Sequence, residues 1–321
     1  AGLLHVLETM QSEGHVFYPR QLLLEKAREL LGIDVHGLAK ALEELKNSGE
    51  ITEEDDRIYP ATMAFRENSV AKRLRTLLVA PRFLPHIKID AAVEWIEKRT
   101  GMVFSPAQRL AVASVIDHKV FIITGGPGTG KTTCQLTLIH LLEAAKRSYV
   151  LASPTGRAAK RLSEATGRQA KTVHRLLEFS GESGQFTRNQ DNPLDCTTLI
   201  IDETSMVDIF LMRSVLRAVT LSTRLILVGD ADQLPSVGPG NVLSDILDSG
   251  AIPQVRLTEI FRQDEQSHIV INAHRINRGD MPLLNIKGSD FFFQKTASPN
   301  EAASVIADLC HVRLPGYLHT R

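Results

Sequence analysis

From residue 120 to residue 257 the chain repeats one pattern: a short unbroken run of aliphatic and β-branched residues, a polar or glycine-bearing turn, then a longer stretch with apolar residues at helical spacing. The runs fall at 120–123, 149–152, 198–201, 224–228 and 255–257. Their hydrophobicity does not alternate, so each predicts a strand buried on both faces. Such strands joined by helices predict an α/β fold, a parallel sheet covered by helices on both sides. Upstream the pattern changes. Helical spacing at 3–12, 19–31 and 34–47 precedes strand-like pieces at 50–52 and 57–59, an order that predicts a small winged-helix-like module over 1–62. Helical stretches at 63–78 and 90–99 form a connector over 63–99, with Pro81, Pro85 and Pro106 marking boundaries. The sheet domain occupies 100–257, and residues 258–321 predict a helix at 268–278, a strand at 291–294 and a helix at 301–312.

In a parallel sheet of this kind, ligands bind beyond the carboxyl ends of the strands. The first run leads into Gly125-Gly126-Pro127-Gly128-Thr129-Gly130-Lys131-Thr132-Thr133, and helical spacing then continues to about Lys146. Backbone N–H groups of a glycine-rich turn wrap a polyphosphate, Lys131 supplies a mobile cation, and Thr132 offers a hydroxyl to Mg²⁺. A dinucleotide fingerprint is excluded, because no G-x-G-x-x-G fits these residues. The run 198–201 delivers Asp202 and Glu203, the first suited to holding Mg²⁺ through its water shell, the second to polarising a water for attack on a γ-phosphate.

Three further residues gain meaning from that company. Gln233, in Gly229-Asp230-Ala231-Asp232-Gln233, is either a turn cap or an amide sensing the γ-phosphate. Gln108, in Ser105-Pro106-Ala107-Gln108, carries an amide able to pair with N6 and N7 of adenine, though alone it would read as a surface residue. Arg262, in Thr258-Glu259-Ile260-Phe261-Arg262-Gln263, either neutralises transition-state charge or pairs with a carboxylate on the surface.

Charge narrows the partners. Lys and Arg total 37 and Asp and Glu total 37, so a nucleic-acid contact requires a local basic surface. One stretch supplies it: over 157–175, Arg157, Lys160, Arg161, Arg168, Lys171 and Arg175 face Glu164 alone. Thr155 and Thr172, each at a helix start, add hydroxyl and N–H groups for phosphates; a solvated basic face is the alternative. In the first module Lys40 and Lys46 are set against Asp34, Glu43 and Glu44, and the wing carries Glu53, Glu54, Asp55 and Asp56. An acidic wing repels phosphate, so a scaffold or interaction role suits the module better than DNA reading. Cys134, Cys196 and Cys310 stand apart, with no C-x-x-C, signal-peptide pattern or membrane-length apolar run. They predict reduced, buried thiols and a cytoplasmic, non-membrane protein. No histidine spacing predicts a zinc site.

Taken in order, these motifs resemble superfamily 1 DNA helicases, and most closely the RecD-like helicases of the 5′→3′ branch, across residues 100–282. The resemblance implies a RecA-like P-loop NTPase domain using ATP and Mg²⁺ on single-stranded DNA. It implies that Gln108 reads adenine, that Gly125 to Thr133 bind phosphates, and that Asp202 and Glu203 serve Mg²⁺ and water activation. It likewise implies that Gln233 and Arg262 sense the γ-phosphate, and that Ser153, Pro154, Thr155, Arg157, Lys160, Arg161, Thr172, His174 and Arg175 touch the strand. Residues 179–194, with Gly181, Gly184, Asn192 and Pro193, correspond to a strand-splitting pin at a duplex junction; by sequence alone they are a polar loop or hairpin. The departure is C-terminal, where neither a Thr-x-His-Lys-like motif nor a final Arg motif is found. The expectation is therefore an incomplete second RecA-like domain over 258–321, in a monomeric chain that binds ATP but is a poor ATPase and no helicase by itself. The rival reading is an ATP-switched DNA- or protein-binding adaptor.

Overall fold

The computed structural model describes residues 2–81, 89–101, 103–259, 267–286 and 288–317, and the chain divides into two compact units, Ala1–Ile260 and Phe261–Arg321. The first unit opens with a helical head: α1 (Gly2–Ser12), β1 (Tyr18–Pro19), α2 (Arg20–Leu31), α3 (Val35–Asn47), β2 (Ile51–Glu54) and β3 (Arg57–Pro60). Asp34 caps α3 by accepting from Gly37 N at 2.9 Å, and Gly32, at φ +65°, stops α2. The three strands pair antiparallel in the order β1-β3-β2, and the helices bury Leu23, Leu38 and Leu42 against Ile51 and Ile58.

From the head, α4 (Ala61–Leu78) runs onto the sheet domain, where Val70, Leu74 and Leu77 join its core. There follow α5 (Ile89–Thr100), α6 (Pro106–Asp117), β4 (Val120–Gly125), α7 (Lys131–Ala144), β5 (Tyr149–Ser153), α8 (Gly156–Thr166), β6 (Ala170–Thr172) and α9 (Val173–Leu176). A two-stranded hairpin, β7 (Phe179–Ser180) and β8 (Gln185–Phe186), precedes β9 (Thr198–Ile201), α10 (Ile209–Ala218), β10 (Arg224–Gly229), α11 (Val242–Asp248) and β11 (Gln254–Leu257). Six strands form one parallel sheet in the order β11-β4-β10-β9-β5-β6.

Alternation along the strands divides the core between two faces. Ile122, Leu199, Ile201, Leu225 and Leu227 pack with α4, α10 and α11, while Phe121, Ile123, Ile200, Ile226 and Val228 pack with α6, α7 and α8. Burial on both faces explains why these strands carry no polar alternation. The sheet has one strand more than the sequence predicts: β6 is three residues long with none of them fully buried, so it leaves no apolar run to read.

In the second unit, α12 (His268–Asn277) and α13 (Pro299–Asp308) are followed by a π-helical turn over Leu309–Arg313 and α14 (Leu314–Tyr317). The strand predicted at 291–294 is not formed. Its phenylalanines favour extended backbone, but no strand is present among the described residues of this unit to pair with it. The expectation of three buried thiols also needs correction, since Cys134 and Cys196 are buried but Cys310, in the π-helical turn, is exposed.

Candidate functional site at the carboxyl edge of the parallel sheet

Polar turns gather where the strands end: β4 runs into the glycine loop, β9 into Asp202 and Glu203, and β10 into Asp230, while β5 ends at Ser153 and β6 at Thr172. The loop is tight. Gly128 and Gly130 take left-handed backbone, at φ +75° and +87°, open to glycine at little cost. A Cβ on Gly130 would collide with Gln108 Nε2, and one on Gly125 would lie 2.6 Å from the Leu257 carbonyl oxygen. Thr129 is buried and its hydroxyl donates to Gly126 O at 2.8 Å. Lys131 folds back so that Nζ donates to Gly125 O at 2.5 Å and Gly126 O at 3.0 Å. Helix α7 has no side-chain cap at its N-terminus, which leaves its first N–H groups to an anion. Thr132 and Thr133 stand in that first turn, with Pro127 exposed on the loop.

The carboxylates sit deeper. Asp202 Oδ1 accepts from Gln135 Nε2 at 2.9 Å, a side chain from the second turn of α7. Burial pushes the Asp202 pKa up, against that hydrogen bond and the Lys131 charge. Glu203 occupies left-handed backbone at φ +53°, a conformation that costs a non-glycine residue about 1–3 kcal/mol. Its pKa is also raised, chiefly by burial and then by the Asp202 charge, with Lys131 and Arg161 opposing. Glu203 Oε2, Gln135 Oε1, Ser153 Oγ and Ser205 Oγ are buried with no hydrogen-bond partner among the described residues. Unpartnered buried oxygens are costly and scarce in folded proteins. Among the described residues no trio of His, Cys, Asp or Glu could hold a metal alone. A magnesium ion carried by a nucleotide requires no such trio, because phosphates and waters complete its octahedron.

Two glutamines are already engaged. Gln108 is buried, not a surface residue: Oε1 accepts from Ser105 N at 3.0 Å, Ser105 Oγ accepts from Gln108 N at 3.2 Å, and Nε2 reaches Thr129 O at 3.5 Å. This capping box fixes the start of α6 against the phosphate loop. Gln233 is exposed, and its Nε2 donates to Oδ2 of the buried Asp230 at 3.1 Å. Arg262 lies outside the described residues. The sequence reading missed Gln135, whose only signal was a polar residue on the inward face of the helix after the loop.

The basic stretch divides when folded. Arg168 is not part of an open patch, since both its Nε and Nη2 donate to Glu143, at 2.6 and 3.0 Å. Lys160 lies 3.8 Å from Glu164. Arg157, Arg161, Lys171 and Arg175 are exposed and have no ion pair among the described residues. Thr155 and Thr172 cap α8 and α9, accepting from Ala158 N and Arg175 N, and Pro154 precedes the first cap. His174 is exposed and packs against Phe179 and Phe186 of the hairpin, with ring centres 5.8 and 5.5 Å away.

A parallel sheet of this order, with a glycine loop between β4 and α7 and acids after β9, defines a P-loop protein of the RecA-like α/β class. Residues 108–239 match the family model of an AAA domain. Over 290 residues, 85% of this chain, it is 34% identical to the ATP-dependent RecD2 DNA helicase of Deinococcus radiodurans. Over 198 residues, 54% of this chain, it is 38% identical to the RecBCD enzyme subunit RecD of Mycobacterium tuberculosis. Among solved structures, the Pif1 helicase of Candida albicans aligns with 56% of this chain and 45% of its own, at a TM-score of 0.43 and 24% identity. In sequence the chain is similar to these RecD proteins, and it spans 39% of the Deinococcus protein and 34% of the Mycobacterium one.

Proposed function

We propose that this chain is the ATP-binding motor part of a DNA helicase or translocase, with Mg²⁺ as the nucleotide's metal and single-stranded DNA as the track. The observation that carries the reading is the meeting, at one sheet edge, of a glycine cradle, the Lys131 ammonium and a buried Glu203 oxygen that lacks a partner among the described residues. The donor set fits a nucleoside triphosphate. Bound there, Mg²⁺ would supply charge neutralisation between the phosphates.

In this reading Lys131 exchanges two carbonyl partners for phosphate oxygens, which form stronger, charge-assisted hydrogen bonds. Gly125 to Thr133 bind the phosphates, Thr132 and Asp202 hold the metal, and Gln135 fixes the Asp202 carboxylate. Glu203, its basicity raised by burial, takes the proton of the attacking water. Gln233 and Arg262 answer the γ-phosphate, and Gln108 anchors the loop and reads adenine once its amide turns outward. Pro154, Thr155, Arg157, Lys160, Arg161, Thr172, His174 and Arg175 track the strand, with the buried Ser153 supporting them from the end of β5 and residues 179–194 at the junction. Arg161 links the two functions: it lies on α8 in the strand-tracking segment and still lowers the Glu203 pKa. ATP binding is proposed for this chain itself. Strand-coupled hydrolysis and 5′→3′ movement, the latter from the resemblance, are proposed for the motor to which it belongs.

Phosphate release by the longer motor to which the chain belongs, measured with and without a single-stranded oligonucleotide at two salt concentrations, tests the reading. A rate that rises with the strand, falls with salt and disappears in Lys131→Ala supports it. Nucleotide-dependent DNA or protein binding with no strand-dependent turnover would favour the adaptor instead.

A further inference from the structure

A second concentration of positive charge is invisible along the sequence because two helices assemble it. Helix α4 brings Phe65, Arg66 and Arg73, and α10 brings Phe210, Arg213 and Arg217. The helices exchange partners: the Arg66 guanidinium lies 4.5 Å from the Phe210 ring centre, and that of Arg213 lies 5.3 Å from Phe65. Arg73 donates to the Leu216 and Val219 carbonyls at 3.1 and 2.7 Å, closing the C-terminal end of α10. Beside these contacts, Arg73, Arg213, Arg217, Ser69 and Gln190 line a cavity of about 110 Å³. Gln190 belongs to the segment that carries the β7–β8 hairpin.

The charge in this cleft is unanswered. None of Arg66, Arg73, Arg213 and Arg217 has an ion-pair partner among the described residues. Burial lowers the Arg213 pKa, and the Arg217 and Arg66 charges lower it further, with no carboxylate opposing them. Arg213 Nε is buried without a hydrogen-bond partner among the described residues. Helix packing accounts for the stacked faces of Arg66 and Arg213, and capping accounts for Arg73. Neither accounts for the orphaned Nε or for the exposed Arg217 beside it. An anion completes both at once, since guanidinium forks match the oxygens of a phosphate.

We propose that the cleft between α4 and α10 is a second DNA-contact site, gripping a backbone phosphate of the duplex arm next to the hairpin. The proposal rests on the motor reading above. Gln190 favours a duplex arm, because it ties the cleft to the segment proposed to sit where strands part. The exposed faces of Phe65 and Phe210 among arginines favour a nucleic acid over an acidic protein.

Fluorescence anisotropy of a labelled single strand, and of the same strand carrying a duplex arm, tests the site across a salt series. The wild-type chain is expected to bind the armed DNA more tightly. The double variant Arg213→Gln, Arg217→Gln should lose most of that gain, about tenfold, and its salt slope on the armed DNA should fall by about 0.9 for each phosphate contact removed. Its affinity for the bare strand should stay. Arg217→Gln alone, at an exposed position, should lose part of the gain with an unchanged thermal midpoint, which separates contact from folding. The variant Arg157→Gln, Arg175→Gln should weaken both DNAs alike. Full retention of the arm's gain in the double variant, or no gain in the wild type, overturns the site and leaves the motor reading standing. Absence of bare-strand binding in the wild type overturns both. Binding of a polyglutamate peptide that the double variant loses, with armed-DNA affinity unchanged, overturns the site in favour of an acidic protein.

Discussion

In the head, Glu53 on β2 receives Arg20 Nη1 and Lys46 Nζ, each at 2.6 Å, and these partners hold its pKa below the usual carboxylate range despite burial. At the sheet edge, Glu203 is pushed the other way by burial, and one of its oxygens has no partner among the described residues. Both are glutamates at the end of short secondary structure in one compact unit, yet one closes a network and the other leaves it open. A closed network stabilises the wing and has nothing left to offer a ligand. An open one costs stability and is retained where a ligand or reacting water repays it. The same contrast explains why the acidic wing reads as structural: Glu53, one of its four acids, is turned onto the basic residues of α2 and α3.

The largest effect should come from breaking the open side. Glu203→Gln is expected to lower any strand-stimulated phosphate release by about 10² to 10⁴-fold, while the thermal midpoint holds or rises because a buried charge has been removed. A fall in rate matched by a fall in midpoint would contradict this. Gly130→Ala tests the cradle itself. A methyl in left-handed backbone against Gln108 should cost about 1–3 kcal/mol in urea denaturation and should weaken nucleotide binding at temperatures where the chain is still folded.

Breaking the closed side should matter less. Glu53→Gln is expected to cost about 1 kcal/mol or less, without change in nucleotide binding. Its folded pKa is depressed, so the stability it contributes is present above its unfolded value and is lost as pH falls through the lower folded one. The gap between wild type and variant should therefore close under acid, and a constant gap would show that packing alone is involved.

The smallest effect lies where the regions meet, in a cavity lined by Glu67, Asp245 and Ile209 between α4 and the sheet domain. Burial raises the Asp245 pKa, helped by the Asp248 charge. A raised carboxyl stabilises the fold least once it ionises, so wild-type stability should decline as pH rises from the ordinary aspartate value through the higher folded one. Asp245→Asn should lessen that decline and be slightly more stable at neutral pH. Equal pH profiles in differential scanning fluorimetry would refute the assignment.

Much of this was legible in the sequence where one residue type could do only one thing. Unbroken runs such as Leu199-Ile200-Ile201 have no reading except strands buried on two faces, and the helices and hairpin of the head carried their own caps and turns. Relations between distant residues were not legible. Gln135 is an ordinary helix glutamine until folding sets it against Asp202, 67 positions away. Arg168 counted as part of a basic surface until Glu143, from the end of α7, was found to hold it. The run Phe291-Phe292-Phe293 looked like a strand because local preference cannot reveal whether a partner strand exists. The arginines of α4 and α10 gave no signal at all, as each helix alone shows only scattered charge.

Titration of a fluorescent ATP analogue into the wild-type chain and into Lys131→Ala, with Mg²⁺ and with a chelator, tests the central claim most directly. Saturable binding that requires Mg²⁺, is displaced by ATP and weakens by at least tenfold in Lys131→Ala is the predicted result. Equal binding by both proteins, or no binding by a folded wild type, would contradict the assignment of the sheet edge as a nucleotide site.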